Sequence, residues 1–79
     1  MDNFIEIVAV GKSVHFINTE HIVCVSEIVR LGEFQCTQIS LLNDVHIKTD
    51  EAYADVKKKI LSAGEITIYA PDIFKAVIE

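Results

Sequence analysis

Short apolar runs, separated by turn residues, fill the first two-thirds of this chain. Residues 4–10 (FIEIVAV) carry one charge among apolar side chains and predict a strand. Gly11-Lys12-Ser13 has turn chemistry, and residues 14–17 continue as a second strand, so the two read as a hairpin. Asn18-Thr19-Glu20-His21 is a polar break suited to a one-turn bend, because Asn and Thr side chains bond nearby backbone groups. Residues 22–31 (IVCVSEIVRL) form the longest strand candidate. Gly32-Glu33 turns it back into residues 34–42, and Asn43-Asp44 turns again into residues 45–48. Five strands joined by short loops describe an antiparallel meander.

The period then changes. Tyr53, Val56, Ile60 and Ala63 fall at i, i+3, i+7 and i+10, one stripe of a helix. The pattern predicts a helix over residues 50–63, with Thr49 or Asp50 as N-cap and Asp50 and Glu51 placing negative charge in its first turn. Lys57, Lys58 and Lys59 then sit towards its C-terminal end, and Gly64 supplies the stop. Residues 65–69 (EITIY) have strand composition. Pro71 suits the first turn of a last short helix, with Ile73, Phe74, Val77 and Ile78 as its apolar residues.

The register of the central hairpin decides what its faces look like. With Gly32-Glu33 as a two-residue loop, Leu31 faces Phe34, and one face holds Val23, Val25, Val29, Leu31, Phe34, Cys36 and Leu42. A one-residue shift swaps the faces. It gathers Val23, Val25, Val29, Leu31, Ile39 and Leu41 around Glu27, leaving Ser26, Arg30, Gln38 and Ser40 beside Cys24, Ile28 and Cys36. Neither face is cleanly polar in either register. One helix covers one face, so something else must cover much of the other.

Composition narrows the class. Seventy-nine residues make a single domain spanning 1–79, and a chain this short buries only about 60–65 % of its unfolded surface. Hydrophobic residues are 51 % of the chain and mean hydropathy is +0.35, which excludes a disordered segment. Twelve Ile and nine Val favour strands over helices. No apolar stretch reaches the roughly 18–20 residues that span a bilayer, and Met1-Asp2-Asn3-Phe4 does not read as a signal peptide. Net charge is −5, spread over both halves, so the overall field opposes nucleic acid. Two cysteines are too few for a disulfide scaffold and point to a reducing cytoplasm.

Candidate chemistry is sparse. His21-x-x-Cys24 has a plausible metal-ligand spacing, but a structural zinc site needs four converging ligands and there is no second tight pair. In the shifted register Cys36 pairs with Arg30, too far along the strand from Cys24 for a disulfide or a shared metal. No sequence context singles out a nucleophile for Cys–His catalysis. Glu51 and Asp55 are i, i+4 on the helix, with Lys58 and Lys59 in reach of Asp55, which reads as a solvated ion-pair face. The lysine run itself suits the negative end of a helix dipole. We expect no catalytic residues, no metal and no cofactor.

Gly11-Lys12-x-Val14-x-Phe16-Ile17-Asn18-x-x-His21-Ile22 resembles the small FlbD family associated with bacterial flagella. The likeness spans about residues 4–61 and rests on Gly11, Asn18 and Ile22; residues 65–79 extend beyond it. The order of elements is also loosely similar to half of a LytTR-type DNA-binding domain. These resemblances imply a small β-rich bacterial fold closed by a helix.

The sequence therefore predicts an α+β domain: an antiparallel five-stranded meander sheet, one packed helix and a C-terminal strand–helix extension. The expected function is a non-enzymatic interaction or regulatory module acting as a homo-oligomer, a dimer or higher closed assembly, with another protein as a further partner. The alternative is a nucleic-acid-binding transcriptional regulator. The apolar residues of the last element, Phe74, Val77 and Ile78, are the candidate oligomer interface.

Overall fold

The computed structural model describes residues 4–63 and 73–78. The elements run β1 (Phe4–Val8), β2 (Val14–Asn18), β3 (Ile22–Arg30), β4 (Glu33–Leu41), β5 (Val45–Thr49), α1 (Tyr53–Ala63) and β6 (Phe74–Ile78). The expected strand at 65–69, the stop at Gly64 and the helix start at Pro71 lie outside the described residues.

The single five-stranded meander is not what forms. The β1–β2 hairpin stands as its own two-stranded sheet, and the remaining strands make a four-stranded sheet in the order β5-β4-β3-β6. A 3-10 turn at Thr19–His21 separates the two sheets; the Asn18 side chain accepts from the Glu20 N–H and fixes the bend. The chain leaves β2 at that bend, so β3 starts a new sheet instead of extending the first. One joint remains, where Ala9 bridges Thr49 and the Val10 N–H donates to the Lys48 carbonyl at 2.9 Å.

The terminal helix is also corrected: residues 74–78 are strand β6, which pairs parallel with β3 from Val25–Phe74 to Val29–Ile78. Parallel pairing makes this sheet mixed. The apolar spacing at 73, 74, 77 and 78 fits either a helix or a strand. Tertiary demand decides, because the nine-residue β3 has a second edge of backbone donors and acceptors that needs a partner.

The turn between β3 and β4 falls one residue earlier than the glycine suggested. Arg30 pairs with Glu33, so Leu31-Gly32 is the loop, with φ of 53° and 80°. Two positive φ values define the type I′ turn that matches strand twist. Irregularities at Ile22/Cys24 and Ile28/Val29 then shift the ladder, so Cys36 pairs with Ile28 and not with Arg30.

Cross-strand partners share a face, so Val25, Ile39, Ile47 and Phe74 form one row of the four-stranded sheet. On that face the β1–β2 hairpin contributes Ile5, Ile7 and Ile17, and α1 contributes Val56 and Ile60, all in one core. The helix begins at Tyr53, three residues later than expected, because Thr49 ends β5 and Ala52 instead accepts the N–H groups of Asp55 and Val56. Hairpin and helix thus share the work of covering one face. The second face carries Cys24, Ser26 and Ile28 on β3, with Cys36, Gln38 and Ser40 beside them; Ser26 and Cys36 are buried there, outside the main core.

Two stability outcomes follow from this packing. Truncating the fully buried Ile60 to Ala should cost ~2–5 kcal/mol, whereas Lys58→Ala should stay within about 0.5 kcal/mol, as read by denaturant midpoints. Leu31 holds a left-handed backbone while 87 % exposed. Leu31→Asn should therefore add about 1 kcal/mol and raise Tm by roughly 4–8 °C; an unchanged Tm would show that the turn stores no such strain.

Candidate interaction surface

Phe74, Val77 and Ile78 would share one stripe as a helix, but as a strand they divide. Phe74 and Ile78 follow the core face with Val25 and Val29, while Val77 follows the opposite face with Ile28. Phe74 is half-buried: its ring meets Tyr53 edge-on at 6.2 Å, and the Lys57 ammonium lies 5.1 Å from its centroid. Phe74 anchors β6 to α1. Val77 and Ile78 remain open to solvent at 39 % and 75 %.

Towards the Leu31-Gly32 turn, the two long strands β3 and β4 carry apolar residues in successive cross-strand rows. Phe34, Val29 and Ile78 make one row, and Cys36, Ile28 and Val77 make the next. β6 borders both rows and is itself the outer strand of the sheet among the described residues. A second apolar surface, missed by the sequence reading, lies on the outer side of the first hairpin. Phe4, Val8, Val14 and Phe16 all face outwards there, Phe16 at 71 % exposure. The signal was present as alternation, since Ile5, Ile7 and Ile17 take the inner side and leave their neighbours outside. An open groove of about 570 Å³ joins this surface to α1 and is lined by Phe4, Glu6, Val8, Lys59 and Ser62.

The lysine run sits in the middle of α1, and the last turn holds no basic residue, so the dipole account does not apply. Lys59 instead binds the Glu51 carboxylate at 2.6 Å and the Glu6 carbonyl at 3.0 Å. Glu51, not Asp55, is the partner. His21 and Cys24 gain no third ligand; among the described residues no His, Cys, Asp and Glu cluster of three could hold a metal. Cys24 lies 3.4 Å from the Ser26 hydroxyl, and His46 bonds Ser40 at 2.9 Å on the exposed sheet face.

Comparison with known proteins finds no matching family model, no matching curated protein and no matching solved structure.

Partial burial, with the Phe74 ring of β6 against it, raises the Tyr53 hydroxyl above its ordinary value of 10.0, with the charges of Glu27 and Cys24 adding to the effect. Below about pH 10 the phenol is neutral both folded and unfolded, so it is silent. Above that pH the unfolded chain ionises first, and stability falls as pH climbs towards the raised folded value. The loss of denaturant midpoint between about pH 9 and about pH 11 should be smaller in Tyr53→Phe than in the parent chain. Equal losses would place Tyr53 in water.

Proposed function

We propose that this chain is a small non-enzymatic interaction or regulatory module that acts as a homo-oligomer. One observation carries the reading: large apolar side chains lie exposed at Phe34 and Ile78 on one face beside the β3–β4 turn, at Val77 on the other face, and at Phe4, Val8, Val14 and Phe16 on the outer side of the first hairpin. Exposed apolar patches of this kind mark contact surfaces on small proteins. A domain of this size also gains proportionally most by burying surface between chains, and a two-fold dimer is the commonest closed solution. Lys57 and Lys59 are engaged within the chain, over Phe74 and on Glu51, which takes two of the three clustered cations away from a nucleic-acid reading.

Light scattering on a size-exclusion column tests this across a dilution series. The expected result is a species of at least twice 8.8 kDa that dissociates on dilution. A stable 8.8 kDa species at every concentration, or salt-sensitive binding to nucleic acid, would overturn it.

A further inference from the structure

We propose that the outer edge of β6, which no described strand pairs, is the self-association site, and that two copies pair β6 against β6 to make one continuous eight-stranded sheet. The inference rests on the homo-oligomer reading and adds the surface, the symmetry and the register. β6 uses one edge to pair with β3; no described strand takes the other. Half of its backbone donors and acceptors therefore point outwards as a template for another strand. At the opposite margin of the same sheet, Ala9 and Val10 tie one end of β5 to the first hairpin through Thr49 and Lys48.

Symmetry and charge then select the register. A two-fold axis normal to the sheet places one residue opposite its own copy and keeps each face continuous with the same face of the partner. An axis at Lys75 sets two ammonium groups against each other, which is destabilising. An axis at Ala76 pairs all five residues of the strand: Phe74 with Ile78 of the second copy, Lys75 with Val77, and Ala76 with itself. No like charges meet, and the exposed Val77 and Ile78 side chains gain neighbours on both faces. The small Ala76 side chain sits at the one position where bulk would be doubled.

Among the other terminal strands, β2 is one competing edge. An axis at Phe16 there would set Asn18 against Val14, and the Asn18 side chain is already committed to the Glu20 N–H. β6 offers the better self-complement.

Hydrogen exchange on the unmodified protein, compared between concentrated and dilute samples, reads the edge directly. Dimerisation should slow the amides of residues 74–78 by on the order of tenfold or more while residues 14–18 stay unchanged. As a second readout, Ala76→Cys in a background of Cys24→Ser and Cys36→Ala should form an inter-chain disulfide under mild oxidation. Its rate should exceed that of Phe16→Cys in the same background by at least about tenfold, as the high effective concentration of facing thiols requires. A dimer that gains protection at 14–18, or one in which Ala76→Cys does not cross-link, overturns the β6 edge and leaves the homo-oligomer reading standing. A monomer at all concentrations overturns both.

Discussion

Two buried threonines and one carboxylate hold the layers of this protein together. Thr49 ends β5 with its hydroxyl donating to the Val8 carbonyl at 2.7 Å, across 41 residues of sequence. Thr37 donates to the Glu51 carbonyl at 2.9 Å, and the Glu51 carboxylate accepts from the Val8 N–H and from Lys59. Both threonines are fully buried. A buried polar group left without a partner costs about 1–3 kcal/mol, so these bonds leave little freedom in how the first hairpin meets β5 and α1. The isoleucine core supplies the attraction between layers; the polar clasp chooses the alignment.

That division of labour explains what could be read in advance. The helix stripe of Tyr53, Val56, Ile60 and Ala63 was legible because period alone defines it. Strands β1 to β5 were legible because turn residues bracket each of them. The split into two sheets was not: the polar break at Asn18 marked a bend but not that β3 would leave the first sheet there, and the Thr49 bond to Val8 leaves no trace in hydrophobic pattern. The hairpin loop was displaced for a different reason: Gly32 marks the second turn position, and Leu31 takes the first against its own preference.

The surface was legible in part. Apolar residues near the end of the chain stood out, but their spacing at 73, 74, 77 and 78 serves two periods equally. Only the unmet backbone edge of β3 tips them into a strand, and that edge is a property of the assembled sheet. Conversely, the outer side of the first hairpin follows plain alternation, yet which side is outer shows only once Ile5, Ile7 and Ile17 are seen to fill the inner one.

The parallel pairing of β6 also sets an order of events. Hairpins β1–β2, β3–β4 and β4–β5 join strands that are neighbours in sequence, whereas Val25 meets Phe74 across nearly fifty positions. Contacts that close so long a loop form late and open early, because their entropic cost must first be met by local structure. Until β6 docks, the nine-residue β3 presents a bare edge to any passing strand. Once docked, β6 acts as the guard of that edge.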